Sequence, residues 1–309
     1  EAKPFAGRAG GLMTSLANRA QPPAPRASGE DADVLIIGAG QAGLSLAARL
    51  AALGASYTVI EKRPRVGDVW RNRYQGLRLH NPTPANHLPY RKFPASYPRY
   101  LSKDALADWL ESYVDALDLK VDCRTSLLSA AYDASAGKWE AKLEAAHGVR
   151  TIRPRHLVFA TGAVNRPRRP QIAGLDDFKG QIIYAEDCKN AAAWRGKRAL
   201  VFGAGNSGHD VAQNLCENGC AVTLVQRGAT TVVSVDPSDN LTFSAYANLA
   251  TDVVDQLSLA TTYPLAVQVA PPSAPNTAGQ SRDERQGRQA RQHVVHRRDQ
   301  KHSPNTHNT

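Results

Sequence analysis

Residues 34–61 read VLIIGAGQAGLSLAARLAALGASYTVIE, and this stretch decides the fold. An apolar strand is followed by a glycine-rich turn, an apolar helix and a second apolar strand, which is the order of a dinucleotide-binding βαβ unit. The part from 34 to 55 is also long and apolar enough to suggest a membrane span. Three glycines crowd near its start, directly after a strand-like run, and they favour the Rossmann-like unit instead.

The three glycines of this first fingerprint have different predicted tasks. Gly38 permits a tight turn, Gly40 lets the backbone approach a pyrophosphate, and Gly43 lets the helix pack closely on the strand. The phosphates would lie at the helix N-terminus, where unpaired N–H groups and the helix dipole favour anions. Glu61 ends the second strand, where a carboxylate accepts hydrogen bonds from a ribose 2′-hydroxyl and repels a 2′-phosphate. The residues predicted to bind this first nucleotide are Gly38, Gly40, Gln41, Ala42, Gly43, Glu61 and Lys62.

A second strand–glycine–helix–strand unit runs from 198 to 226 and carries the fingerprint GAGNSG. Gln226 and Arg227 stand where the first unit has its acid. A guanidinium there suits the 2′-phosphate of NADPH through a charge-assisted pair; the alternative is that Arg227 is a surface residue after a strand. The residues predicted to bind NADPH are Gly203, Gly205, Asn206, Ser207, Gly208 and Arg227. Two such sites in one chain indicate a flavin that is reduced by a nicotinamide.

Charge and cysteine content argue against other classes of function. The net charge is +10 and much of it lies at the ends: residues 1–30 carry four basic and two acidic side chains, and residues 281–309 carry seven basic and three acidic ones. These ends lack interleaved aromatic residues, so nucleic-acid binding is not predicted. The four cysteines form no CxxC pair and complete no metal site, which predicts reduced thiols in a cytoplasmic protein.

Together these motifs resemble the flavin-containing monooxygenase superfamily, especially its fungal and bacterial branches related to plant indole-pyruvate monooxygenases. The resemblance spans residues 31–268. It is carried by GAGQAG at 38–43, Glu61, RVGDVWRNRYQGLRLHNP at 65–82, LPYRKFP at 88–94, FATG at 159–162 and GAGNSG at 203–208.

The resemblance implies an FAD-dependent enzyme that uses NADPH and oxygen to oxygenate a small organic substrate through a hydroperoxyflavin. NADP stays bound in such enzymes and shields that intermediate from water. Asn81 falls where the family places an asparagine near the flavin ring and is the predicted catalytic residue; the alternative is a turn residue before Pro82. The further residues that match cofactor-contacting positions are Trp70, Arg71, Thr161 and Gly162.

The predicted architecture is α/β, with two Rossmann-like dinucleotide-binding domains and a small β meander. Residues 103–117 have helical spacing, and a proline-rich crossing at 165–170 marks a domain boundary. The predicted parts are a flexible linker at 1–30, an incomplete FAD-binding domain at 31–163, an NADPH-binding domain at 164–268 and a disordered basic tail at 269–309.

The sequence departs from the family in two places. Phe178 and Gly180 match the signature between the two domains, but Tyr184 replaces its histidine and Cys188 takes its last position, which weakens a prediction of Baeyer–Villiger chemistry. Residues 270–309 have no Leu, Ile, Phe, Trp or Tyr, so they are not expected to supply the return that completes the FAD domain in the family. The alternative function is therefore a truncated remnant that binds FAD and NADPH without turnover.

Flavin disulfide reductases share both fingerprints, but they need a redox cysteine pair near the flavin, and none follows Glu61. The sequence does not choose between a nitrogen or sulfur centre, a ketone and an α-keto acid as the substrate. The expected partners are the small-molecule substrate and oxygen, without nucleic acid or membrane.

Overall fold

Two parallel β-sheets, one in each of two units, organise the chain. The computed structural model describes residues 32–163, 170–228, 243–260 and 293–296. Within these, the first unit comprises residues 32–71, 87–94, 104–163 and 170, and the second comprises 72–86, 95–103, 171–228, 243–260 and 293–296.

The first unit contains a four-stranded parallel sheet, three helices and an antiparallel meander. In chain order its elements are β1 Val34–Ile37, α1 Gln41–Ala52, β2 Tyr57–Glu61, α2 Asp68–Arg71, α3 Lys103–Ala116, β3 Val121–Cys123, β4 Ser126–Asp133, β5 Lys138–Ala145, β6 Gly148–Ile152 and β7 His156–Phe159. The parallel sheet has the order β3-β2-β1-β7, and the antiparallel sheet has the order β4-β5-β6. The predicted meander is confirmed.

Strand β1 lies in the middle of the parallel sheet and is covered on both faces. Val34 is in register with Tyr57 of β2 and with His156 of β7. Helix α1 covers one face with its buried residues Gly43, Leu44, Ala47 and Ala48. The meander covers the other, in a buried cluster of Leu35, Ile60, Ala141, Leu143 and Ile152. Burial on both faces explains why β1 is continuously apolar rather than alternating.

Helix α3 anchors the segment 87–94 to the first unit. The ring of Trp109 stacks on that of Phe93 with centroids 3.9 Å apart. Tyr113 donates its hydroxyl hydrogen to the carbonyl of Pro89 at 2.8 Å. The helix predicted at 103–117 is confirmed, with its last residue at Ala116.

The second unit contains the second parallel sheet. Its elements are β8 Arg198–Phe202, α4 Asn206–Glu217, β9 Ala221–Gln226, α5 Ala245–Asn248, α6 Thr251–Ala260 and β10 His293–His296, and the strand order is β10-β9-β8. Together with the first sheet, this arrangement confirms the predicted α/β class with two Rossmann-like units.

Strand β10 differs from the prediction of a tail without regular structure. His293 pairs in parallel register with Thr223 of β9. Val294 and Val295 are β-branched, and two such residues favour a short strand at a sheet edge. The rest of the predicted tail at 269–309, the predicted linker at 1–30 and residues 164–169 of the proline-rich crossing lie outside the described residues.

The units also divide the chain differently from the predicted domains. Residues 72–86 and 95–103 were predicted within the FAD-binding domain, but they belong to the second unit. The reason is a set of contacts between residues distant in sequence. Gln75, for example, donates its backbone N–H to the carbonyl of Cys188 at 3.1 Å and accepts the N–H of Ala191 on its side chain at 3.0 Å.

Two edge strands expose apolar side chains. Phe159 of β7, and Leu200 and Phe202 of β8, are each more than half exposed.

The stretch 34–55, which suggested a membrane span, folds as the short strand β1 and the 12-residue helix α1. Among the described helices, none has the length and hydropathy needed to cross a bilayer.

Replacing Gly43 by alanine should destabilise the first unit. A Cβ at Gly43 would lie 2.0 Å from the carbonyl oxygen of Gly38, so backbone must move. We expect the free energy of unfolding, measured by urea denaturation with circular dichroism, to fall by about 3 kcal/mol. Gly40→Ala is the matched control, because its Cβ would meet no described atom within 4 Å, and it should cost at most about 1 kcal/mol. Equal losses in the two variants would contradict the packing argument.

Candidate dinucleotide-binding sites

The first glycine fingerprint lies where β1 ends, between the ends of β2 and β7. Gly38 has a φ of +109° and donates its N–H to the carbonyl of Ile60 at 2.8 Å. A Cβ on Gly38 would lie 2.5 Å from the carbonyl oxygen of Ala160 and 3.5 Å from the Cα of Thr161. Both the dihedral angle and the space restrict this position to glycine.

Gly40 leaves open space at the start of α1. It is the N-cap of the helix, and no described atom lies within 4 Å of the place where its Cβ would be. The first turn of α1 contains no acidic residue, so nothing in that turn neutralises the positive end of the helix dipole. This open backbone beside a helix N-terminus fits a pyrophosphate.

Glu61 is held beside the fingerprint by two backbone hydrogen bonds. Its Oε2 accepts the N–H of Ala39 at 3.1 Å, and its Oε1 accepts the N–H of Arg63 at 2.9 Å. The carboxylate is therefore oriented at the end of β2, directly next to the glycine turn. A 2′-hydroxyl is compatible with a fixed negative charge there, whereas a 2′-phosphate is repelled.

The other residues predicted for this site differ in exposure. Gln41 and Trp70 are half-buried, while Ala42, Lys62, Thr161 and Gly162 are exposed. Thr161 and Gly162 follow β7 and so lie at the same edge of the sheet as the fingerprint, with a φ of +80° at Gly162. The sheet brings together the fingerprint, Glu61 and Thr161, and the contacts of all these residues with a nucleotide stay predictions.

Arg71 was predicted to line the flavin, and its guanidinium is engaged within the protein. It donates to the carbonyl of Val66 at 2.8 Å and pairs with Asp68, Asp108 and Glu111 at 3.2, 2.8 and 2.6 Å. Burial alone would lower the pKa of Arg71, but these three carboxylates outweigh it and the pKa lies above its ordinary value. The contacts show a role in joining α2 to α3.

The second fingerprint repeats the backbone geometry of the first. Gly203 has a φ of +108° and donates its N–H to Val225 at 2.9 Å. A Cβ on Gly208 would lie 1.9 Å from the carbonyl oxygen of Gly203. Gly205 is the N-cap of α4 and, like Gly40, has no described atom within 4 Å of its Cβ position. The predicted residues Asn206 and Ser207 begin α4.

The two units differ in charge at the end of their second strands. Gly38 bonds to Ile60 and Gly203 bonds to Val225, so the residue that corresponds to Glu61 is Gln226. Arg227 then corresponds to Lys62, and both are exposed. The second site therefore has a neutral amide where the first has a carboxylate, followed by an exposed cation.

Asn81 lies in a hydrogen-bonded turn of the second unit. It donates its side-chain N–H to Oδ1 of Asn86 at 2.8 Å, and Asn86 in turn donates to the carbonyl of Pro82 at 2.9 Å. Residues 83–86 form a 3₁₀ turn. The structure thus shows the turn role of Asn81, and its catalytic role stays a prediction.

Sequence reasoning did not identify a cluster of Tyr74, His80 and Asp210. The Tyr74 hydroxyl donates to Oδ2 of Asp210 at 2.7 Å, and Nε2 of His80 lies 3.2 Å from Oδ1. Burial and then the Asp210 carboxylate raise the pKa of Tyr74 to about 12, while a hydrogen bond with Ser207 acts in the opposite direction. The sequence carried one signal for this cluster. Tyr74 and His80 lie in the family-like run 65–82, and Asp210 lies four residues after Asn206 of the second fingerprint.

Two buried nitrogen atoms next to this cluster lack hydrogen-bond partners. They are Nε of Arg73 and Nε2 of His209, judged within the described part of the chain. Each adjoins a cluster residue in sequence, and His209 lies in the first turn of α4. An unpaired buried polar atom costs about 1–3 kcal/mol.

Three of the four cysteines lie in surroundings that disfavour the thiolate. All four are free thiols. Burial raises the pKa of Cys123, Cys188 and Cys220 above the ordinary thiol value. Because the thiolate is the reactive form, raised pKa values oppose redox reactivity.

Two sheets that each end in a glycine fingerprint at a helix N-terminus define an oxidoreductase fold with two dinucleotide sites. The pyridine nucleotide-disulphide oxidoreductase family matches residues 35–263, and the chain belongs to this family. Within this family, the chain is a member of the flavin monooxygenase superfamily. The assignment follows from its monooxygenase motifs and from its relatives.

The relatives in sequence are plant enzymes. Indole-3-pyruvate monooxygenase YUCCA1 of Oryza sativa subsp. japonica is 36% identical over 200 residues, which are 64% of this chain and 48% of the relative. Probable indole-3-pyruvate monooxygenase YUCCA9 of Arabidopsis thaliana is 35% identical over 211 residues, which are 68% of this chain and 50% of the relative. The chain spans about half the length of the curated relatives it matches.

Solved structures agree on the fold. A flavin-containing monooxygenase from Stenotrophomonas maltophilia has a TM-score of 0.59 at 24% identity, covering 67% of this chain and 61% of its own. Oxidized steroid monooxygenase bound to NADP has a TM-score of 0.57 at 25% identity, covering 70% and 43%. The complex of OTEMO with FAD and NADP has a TM-score of 0.52 at 25% identity, covering 67% and 40%. The predicted superfamily is confirmed.

Replacing His209 by methionine should stabilise the second unit. Methionine fills a similar volume and removes the unpaired buried nitrogen, so we expect the free energy of unfolding in urea to rise by about 1 kcal/mol. His147→Met in the exposed β5–β6 turn is the control and should change stability little. A marked loss of stability in His209→Met would show that the ring nitrogen has a partner.

Proposed function

We propose that this chain carries the FAD- and NADPH-binding parts of a flavin-dependent monooxygenase that oxygenates a small organic substrate. One observation supports this most strongly. Two fingerprints share the same backbone geometry but end in opposite charges, with Glu61 at the first and Gln226–Arg227 at the second. A chain with one site for a 2′-hydroxyl nucleotide and one for a 2′-phosphate nucleotide suits transfer of electrons from NADPH to a flavin.

We assign FAD to the first fingerprint. The open backbone at Gly40 would receive the pyrophosphate, and Glu61 would accept a hydrogen bond from the ribose. The two N–H groups that hold Glu61 keep its carboxylate in place before the nucleotide arrives, which limits the entropy lost on binding. Bound FAD supplies the redox centre that accepts electrons and reacts with oxygen. Trp70, Thr161 and Gly162 stay assigned to its surroundings.

We assign NADPH to the second fingerprint. The open backbone at Gly205 and the start of α4 at Asn206 and Ser207 offer the same anion site. Arg227 is exposed after β9, where a flexible guanidinium can form a bidentate pair with a phosphate. The neutral Gln226 removes the repulsion that Glu61 exerts at the other site.

Asn81 is the residue that we assign to the reacting oxygen. Its side chain is oriented by Asn86, so its amide is presented in one arrangement rather than several. A side-chain amide can hydrogen-bond an oxygen atom without transferring a proton to it. Tyr184, in place of the family histidine, supports oxygenation other than the Baeyer–Villiger type.

The alternative is a remnant that binds both cofactors without turnover. In either case we place the protein in the cytoplasm, since its four cysteines are free.

Gly40→Val and Gly205→Val test the assignment as a matched pair. A valine side chain at either position fills the open space that we assign to phosphate. Gly40→Val should lose most of the flavin absorbance of the purified protein, whereas Gly205→Val should keep the flavin and lose NADP⁺ binding measured by calorimetry.

The same preparations decide between the two functions. The monooxygenase requires a yellow wild-type protein that consumes oxygen when NADPH is added, and both variants should abolish this uptake. A wild-type protein that binds both cofactors without oxygen uptake would establish the remnant. Full flavin content in Gly40→Val would refute the assignment of FAD to the first fingerprint.

Arg227→Ala tests the choice of nicotinamide. We expect the affinity for NADPH to weaken by about 1–3 kcal/mol, the scale of a lost charge-assisted hydrogen bond, with little change for NADH. Lys62→Ala is the matched control at the corresponding position of the first unit and should leave NADPH affinity unchanged. Equal weakening for NADPH and NADH in Arg227→Ala would mean that Arg227 does not contact the 2′-phosphate.

A further inference from the structure

Residues 72–86 contact helix α4 through hydrogen bonds and close packing, and we call this segment the strap. One carboxylate forms the centre of the attachment. Asp210 accepts a hydrogen bond from the buried Tyr74 hydroxyl at 2.7 Å on one oxygen and lies 3.2 Å from His80 on the other. Both partners belong to the strap, and Asp210 belongs to α4.

Independent contacts hold the same part of the strap. Lys189 donates to the carbonyl oxygens of Asn72 and Arg73. Gly76 lies against α4 so closely that a Cβ would be 3.0 Å from the side-chain amide of Asn214. The strap is therefore packed against both α4 and the segment at Lys189, and its attachment does not rest on one hydrogen bond.

The strap and the second fingerprint meet near the start of helix α4. Tyr74 bonds to Asp210, which lies three residues after Ser207 on helix α4, so the strap is attached within one helical turn of the fingerprint. Ser207 belongs to the fingerprint assigned to NADPH, and Asn81 lies in the strap one residue after His80. A continuous set of contacts thus leads from the nucleotide fingerprint to the strap that carries Asn81.

We propose that Asp210 is a positioning residue that couples occupation of the second fingerprint by a nicotinamide dinucleotide to the order of the strap carrying Asn81. This inference rests on the proposed function of that fingerprint. A dinucleotide that binds at the start of α4 restrains Ser207 and the first turn of the helix. Because Asp210 lies one helical turn after the fingerprint and holds both Tyr74 and His80, the same restraint favours the attached strap.

The coupling must act in both directions. If a bound dinucleotide stabilises the attached strap, then a loosened strap weakens dinucleotide binding by the same factor. Asp210 is the decisive group, because removing its charge weakens the bonds to both Tyr74 and His80 at once. The Tyr74 hydroxyl is buried, so water cannot compensate for the weaker bond.

The test measures trypsin cleavage after Arg78, an exposed residue of the strap, in the full chain with and without saturating NADP⁺. Mass spectrometry identifies the cut, and calorimetry gives the affinity for NADP⁺. In the wild type we expect NADP⁺ to slow this cleavage at least about fivefold, the lower end of measured coupling between sites. In Asp210→Asn the protection should fall below about twofold, and NADP⁺ should bind about fivefold more weakly. Asp210→Glu, which keeps the carboxylate, should restore part of the protection.

Gln213→Ala, an exposed position on the same helix, is the control and should keep the full protection. A purely structural role of Asp210 would speed cleavage by the same factor with and without NADP⁺, and an unchanged ratio of this kind overturns the proposal. If Asp210→Asn does not fold, Tyr74→Phe, which removes a single hydroxyl, decides by the same ratio. A wild-type chain that binds no NADP⁺ overturns this proposal together with the assignment of the second fingerprint. A wild-type chain that binds NADP⁺ while Asp210→Asn keeps its protection overturns this proposal alone.

Discussion

Both units depend on the close approach of a helix to the glycine turn that precedes it. A Cβ on Gly43 would lie 2.0 Å from the carbonyl oxygen of Gly38, and one on Gly208 would lie 1.9 Å from that of Gly203. With no side chain between them, each helix begins directly at the edge of its sheet. The anion-binding end of the helix and the carboxyl ends of the strands then meet in one place, where a phosphate is favoured.

The two fingerprints share one backbone geometry, and the distinction that we propose between their nucleotides comes from very few atoms. Glu61 is fixed by two backbone N–H groups, and the corresponding Gln226 is uncharged. Specificity of this kind combines an attractive group for one ligand with a repulsive group against the other. Because the backbone geometry is the same at both sites, the charge at the strand end is the feature that separates them.

The glycine fingerprints could be predicted from sequence because their constraints are local. A positive φ or a missing Cβ at Gly38 depends on neighbours within a short stretch and on the strand order that a βαβ unit imposes. The contacts of Arg71 with Asp108 and Glu111, 37 and 40 residues away, follow no such rule. Tyr74 and Asp210 are separated by 136 residues. The run that contains Tyr74 could be recognised from the sequence, but its pairing with Asp210 could not.

The strap has a consequence for how the molecule could be divided or exchanged. The chain passes between its two units five times, at 71/72, 86/87, 94/95, 103/104 and 170/171. A continuous stretch of gene that encodes residues 171–228 would carry the second glycine fingerprint but leave Asp210 without its hydrogen-bonding partners. Recombination at a single crossover would therefore separate Asp210 from the Tyr74 and His80 with which it pairs. An exchange that also transfers residues 72–86 would keep these hydrogen bonds. The segments that must be inherited together are thus defined by their contacts in space, and they are discontinuous along the chain.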